Sequence, residues 1–114
     1  MADTGIIFLL GALLTLIVIL FMSFLTFDKL VKLEYSNCYN EWLKDGKPRG
    51  FFWWPPESSA FASSFAMQRL SFLWLFRTPP WVSSAPGAIE QLKRLRLFVL
   101  TWNVGLIMLF LIAM

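Results

Sequence analysis

The sequence contains no histidine, a single cysteine and little charge. Histidine is the commonest general base, pH switch and metal ligand, so its absence removes the usual starting point for all three. One cysteine, Cys38, excludes an intramolecular disulfide and any multi-cysteine metal centre. Charged residues are 15% of the 114, against about 25% in a typical soluble domain. Hydrophobic residues are 58%, against about 45–50%. With 18% aromatics the chain is also far from the composition of disordered segments. What is present is a membrane-protein composition.

Two uncharged runs bracket the chain. Gly5 to Phe27 has 23 residues without a charge. About 20 apolar residues cross a hydrocarbon core of about 30 Å. A secretory signal needs a basic flank and a shorter apolar core. Here the flank is Met1 to Thr4, with no Lys or Arg, so an uncleaved transmembrane helix fits better. The second run, Leu97 to Met114, has 18 residues and begins where Lys93, Arg94 and Arg96 end. Its length is at the short edge for a span. All ten Lys and Arg lie between the runs, from Lys29 to Arg96. Basic residues near span ends stay on the cytoplasmic side. Residues 28–96 are therefore expected in the cytoplasm, with both termini outside.

The middle divides at its breakers. Phe27, Leu30, Val31, Tyr35, Cys38 and Trp42 form one stripe at spacings of three and four, which predicts that the first helix continues over 28–43. Asp28 and Lys32 make an i,i+4 pair on it. Residues 44–57 form a loop punctuated by Gly46, Pro48, Gly50, Pro55 and Pro56. Two placements suit its run Phe51 to Trp54, a lipid interface or a small core between helices. Residues 58–77 read as a helix capped by Ser58 or Ser59, with Phe61, Phe65, Phe72 and Phe76 along one side. Arg69 near its middle makes it a poor third span and a better in-plane interfacial helix. Residues 78–85 turn the chain. Residues 86–96, capped by Ser83 or Ser84 and carrying the pair Glu90–Arg94, start the last helix.

Little here carries chemistry. Cys38 lies on the apolar stripe with no histidine to activate it, which suits a packed residue better than a reactive thiol. Glu34, Glu41 and Asp45 recur at spacings of seven and four, yet with Lys32, Lys44 and Lys47 around them a solvated charged face is the plainer reading. No P-loop, dinucleotide-binding or metalloprotease motif occurs. Neither run contains an ionisable residue of the kind that marks ion or proton pathways. Asn103 is the strongly polar side chain within a run, about 9 Å past its start, and is suited to an interhelical hydrogen bond. Gly11-x-x-x-Thr15 and Thr101-x-x-x-Gly105 permit close helix approach, either between the two spans or in self-association. The middle segment carries ten basic and six acidic residues, a net +4 that an anionic membrane surface explains without nucleic acid.

The layout, together with Asp45-Gly46 followed by Gly50-Phe51-Phe52 and the entry Lys93-Arg94-Leu95-Arg96, resembles the universal stress protein B family and related small bacterial inner-membrane proteins. Trp53 to Pro56 and Pro79-Pro80-Trp81 lie outside that pattern. The resemblance implies a bacterial inner-membrane protein with a link to stress, and no catalytic residues to carry over.

The expectation is an all-α membrane protein. Its two transmembrane helices form an antiparallel hairpin, and the cytoplasmic segment is an aromatic-rich interfacial cap. It is expected to be a non-enzymatic accessory, regulatory or structural component without a cofactor or metal, acting through anionic lipid and through another membrane protein or itself. Trp53, Trp54, Phe61, Phe65, Trp74, Phe76 and Trp81 are the expected interface or partner contacts. Lys47, Arg49, Arg69 and Arg77 are the expected phosphate contacts. Gly11, Thr15, Asn103 and Gly105 are the expected packing residues. The alternative is an oligomeric pore or small transporter, with Thr15, Ser23, Thr101 and Asn103 on its polar face.

Overall fold

The structure, a computed structural model, describes residues 2–114. It is all-helical, with no strand among the described residues. Helix α1 spans Ala2–Asn37, α2 Tyr39–Lys44, α3 Ala62–Phe76 and α4 Ala88–Ala113, with a 3-10 turn at Pro80–Ser83 before α4. At 1.5 Å per residue α1 is about 54 Å long, and it sets the long axis of a 57 × 28 × 18 Å molecule.

Packing is concentrated at one end. α1 and α4 are both long and apolar enough to cross a membrane, and their most apolar stretches are only 6% buried. Ile6, Ile7, Leu10, Leu14, Ile17, Leu106, Ile107 and Phe110 all stand exposed. The core helix of a soluble protein would bury such residues. Further along α1 the burial becomes dense: Phe27, Leu30 and Val31 are enclosed, facing Leu92, Leu95 and Ala88 of α4, Met67, Leu70 and Trp74 of α3, and Trp81 and Val82 of the turn. Burying Leu30, Val31 or Leu92 from water contributes about 1.5–3 kcal/mol each. This core is built on the last turns of α1.

The first helix does not run unbroken to Leu43. Cys38, at φ −135° and ψ 57°, bends the chain between α1 and α2. The break is one residue wide, since Cys38 N–H still donates to Glu34 O (2.8 Å) and Trp42 N–H to Cys38 O (3.0 Å). Beyond it Trp42 is fully buried and its Nε1 donates to Pro48 O at 2.9 Å. Gly46 ends α2 in the left-handed region, φ 93°. Lys47 N–H bonds Trp42 O and Gly46 N–H bonds Leu43 O, the paired bonds of a Schellman stop.

Two expected caps are absent. α3 starts at Ala62 rather than Ser58, with no side-chain cap. Ser58 Oγ instead donates to Pro55 O, and Ser63 Oγ accepts from Ser59 N–H. α4 starts after Gly87 at φ 78°, and Ser83 is drawn into the 3-10 turn by its bond to Pro80 O.

Candidate membrane-interface collar

The loop after α2 returns to α1 and is anchored by one carboxylate. Asp28 is 7% exposed. Its Oδ1 accepts from Phe51 N–H at 2.5 Å, and its Oδ2 from Phe52 N–H at 2.8 Å and Trp53 N–H at 3.0 Å. Three successive amides aimed at one anion make a nest, and hydrogen bonds to a charged acceptor are the strong kind. Gly50 makes the approach possible, since a Cβ there would stand 2.5 Å from Asp28 Oδ1 and 2.8 Å from Trp53 O. The expected Asp28–Lys32 and Glu90–Arg94 pairs are absent among the described residues, where the ion pair formed is Lys44–Glu41 at 3.6 Å. For Asp28 the cause is direct: both of its oxygens are occupied by the loop.

The nest lays the aromatic run along α1. Phe51 stacks on Phe24 (centroids 4.2 Å apart) and meets Phe27 edge-on at 5.4 Å. Phe52 lies 5.3 Å from Phe21. Phe51 and Phe52 therefore flank the uncharged run of α1, above its boundary at Asp28. The run divides: Phe51 and Trp53 pack against the core, while Phe52 and Trp54 face outward.

α3 has two apolar faces. Ser63, Ala66, Met67, Leu70 and Trp74 point into the core. Phe61, Phe65, Phe72 and Phe76 are 63–79% exposed on the other side. Apolar residues therefore line both the packed and the open side of this helix.

Of the expected contact residues, Trp54, Phe61, Phe65 and Phe76 are outward and Trp53 is half-buried. Trp74 and Trp81 are corrected: they are 3% and 4% exposed core residues, 5.7 Å apart, with Trp74 5.2 Å from Phe27. Of the cations, Lys47 and Arg77 are exposed. Arg49 lies 4.3 Å over Trp54 and donates to Ser64 Oγ and Gly50 O. Arg69 donates to Asp45 O at 2.7 Å, at the end of α2. Of the packing residues, Gly105 meets Leu16 of α1. Gly11 faces open space, and Thr15 Oγ1 donates to Gly11 O within its own helix. Asn103 donates to Val99 O one turn back rather than across to α1.

A second feature escaped the sequence reading. Glu34 is not part of a solvated face: it is fully buried, and no donor reaches either carboxyl oxygen. Burial pushes its pKa up to about 10, and the Asp45 carboxylate, which can accept a hydrogen bond from the protonated form, raises it further, as do Cys38 and Glu41, so the carboxyl is held neutral. The available signal was register, since Glu34 lies four residues after Leu30 and four before Cys38, on the buried stripe. Cys38 is half-buried, with Sγ 3.8 Å from Trp81 O. The Trp81 Nε1 is likewise buried without an acceptor.

Chemically the collar offers outward aromatics, free cations and amphipathic edges. Among the described residues no three His, Cys, Asp or Glu side chains converge as metal ligands. Comparison with protein families, curated proteins and solved structures finds no match to this chain.

Proposed function

We propose that the protein is a small integral membrane protein that acts without catalysis, as an accessory, regulatory or structural component. α1 and α4 cross the bilayer as an antiparallel hairpin. Residues 28–96 form the cytoplasmic cap, resting on the inner leaflet of a bacterial plasma membrane. The observation that carries this reading is the contrast between the bare apolar stretches of α1 and α4 and the packed end from Phe27 onward. A surface of exposed Ile, Leu and Phe is favourable in lipid and costly in water. The Gly105–Leu16 contact supports the hairpin, and confinement of the basic residues to 29–96 supports the orientation. The link to stress rests on the resemblance to universal stress protein B.

The cap supports action by contact. Trp54, Phe61, Phe65 and Phe76 are available to lipid or a membrane partner, with Lys47 and Arg77 free to meet phosphates. Trp74 and Trp81 act within the core that holds this surface in shape.

Native mass spectrometry of the protein gently extracted from its own membrane tests the reading. A fixed stoichiometry with another membrane protein, or a defined homo-oligomer with retained lipid, supports it. A strictly monomeric, lipid-indifferent protein with no partner recovered by crosslinking in cells ends it. A homo-oligomer that conducts ions in liposomes, and stops conducting in Asn103→Leu, makes it a pore instead.

A further inference from the structure

The end of α3 and the start of the uncharged run of α4 do not pack tightly. A crevice of about 500 Å³ lies between them, walled by Phe72, Leu75, Phe76, Val99 and Leu100, with Arg96 on its rim. It adjoins a second cavity of about 220 Å³ across Leu75, Val99 and Asn103. The Arg96 guanidinium is held in place by Nε donating to Trp74 O (3.0 Å) and Nη2 donating to Thr78 Oγ1 (3.1 Å). An arginine has five N–H donors, and no carboxylate pairs with this one among the described residues. Arg96 is also the last charge before the 18 uncharged residues that end the chain.

We infer that this crevice binds one anionic phospholipid, its phosphate on Arg96 and an acyl chain along Leu75, Phe76, Val99 and Leu100. The inference rests on the proposed placement of residues 97–114 in the bilayer. Polarity chooses the occupant. Arg96 supplies a fixed cation and, apart from Asn103, the walls are hydrocarbon, the polarity of a phospholipid read from head to tail. A soluble anion would use only the rim. A second copy of the chain docked on this face would bring Arg77, Lys93, Arg94 and Arg96 of two molecules to the same height, an accumulation of like charge. A phosphodiester instead offers oxygens to the guanidinium.

The test uses the full chain in mixed phosphatidylglycerol and phosphatidylcholine, transferred to mild detergent and weighed by native mass spectrometry. One phosphatidylglycerol retained per chain, in preference to phosphatidylcholine, is expected. Arg96→Gln removes the charge and is expected to weaken retention about tenfold, the equivalent of one charge-assisted hydrogen bond. Val99→Phe fills the crevice, leaves Arg96 in place and gives a comparable loss, so the inference stays falsifiable if Arg96→Gln misfolds. Equal retention of both lipids, or retention unchanged in both variants, overturns it. A wild-type chain that resists carbonate extraction yet retains no lipid overturns the site alone. A wild-type chain that carbonate releases overturns the membrane placement beneath it.

Discussion

Glu34 offers the sharpest test of the packed cap. Its carboxyl is fully buried, reached by no donor, and raised from 4.5 to about 10 by burial and then by hydrogen bonding toward Asp45. The unfolded chain releases this proton near 4.5, whereas the folded chain keeps it to about 10. Between those values the folded state binds the extra proton, so stability falls as pH rises. The contribution is fully present below the unfolded value and disappears progressively through neutral pH toward the folded one. The slope is about 1.4 kcal/mol per pH unit, so moving from pH 5 to pH 8 costs about 4 kcal/mol at the limit of complete burial. Water entering the site would reduce that figure.

The variant Glu34→Gln has nearly the same shape and does not titrate. Its stability relative to wild type is expected to improve steadily from pH 5 to pH 8. Other groups titrate in both proteins, so the difference between them isolates Glu34. Glu34→Leu is expected to be the more stable replacement at pH 8, because a well-packed apolar side chain leaves no buried polar atom unpaired. Unfolding in detergent, followed by near-UV circular dichroism of the tryptophans, reads the effect. A difference between wild type and Glu34→Gln that is flat with pH would refute the reasoning, and would mean that the carboxyl is hydrated in solution.

Three further predictions concern the collar. Asp28→Ala removes the acceptor for three amides and is expected to cost about 2–4 kcal/mol, with the loop at Phe51–Trp53 becoming protease-sensitive before the rest of the chain. Gly50→Ala drives a Cβ against Asp28 and the Trp53 carbonyl and should release the same loop, whereas Gly105→Ala meets only the terminal Cδ2 of Leu16 at 2.7 Å, which can rotate away, and should be milder in the same assay. Trp42→Ala empties a fully buried site and is expected to cost about 3–5 kcal/mol, while Trp54→Ala on the exposed edge should lose only the stacking of Arg49, about 0.5–1 kcal/mol, yet reduce quenching of tryptophan fluorescence by bromolipids.

The elements that sequence made legible are those with local causes. The two long apolar helices, the stop at Gly46 and Pro48 and the helix through Phe72 all follow from composition, period and breakers within a few residues. Trp74 and Trp81 were misplaced because an aromatic suits a lipid interface and a protein core equally well, and only the third dimension decides. Asp28 was misread as a helix-surface partner for Lys32 because its real partners are 23 to 25 residues away. Glu34 could have been read from its register, but grouping it with Glu41 and Asp45 by charge hid the stripe it shares with Leu30 and Cys38. The bend at Cys38 left no signal, since neither proline nor glycine marks it.

Asp28 connects these observations. A carboxylate just past an uncharged run would ordinarily face water, and its burial needs strong compensation. The three amides of Phe51, Phe52 and Trp53 supply it, and the same bonds fix four consecutive aromatics with alternating direction. Phe51 and Trp53 then close the core, while Phe52 is turned out beside Phe21 of α1 and Trp54 is turned out under Arg49. A hydrophobic contact alone would allow that loop to slide along the helix. An anion nested in successive N–H groups sets one register. The collar's outward surface therefore depends on a polar anchor, and loss of that one carboxylate in Asp28→Ala should disperse the aromatic edge while leaving both long helices intact.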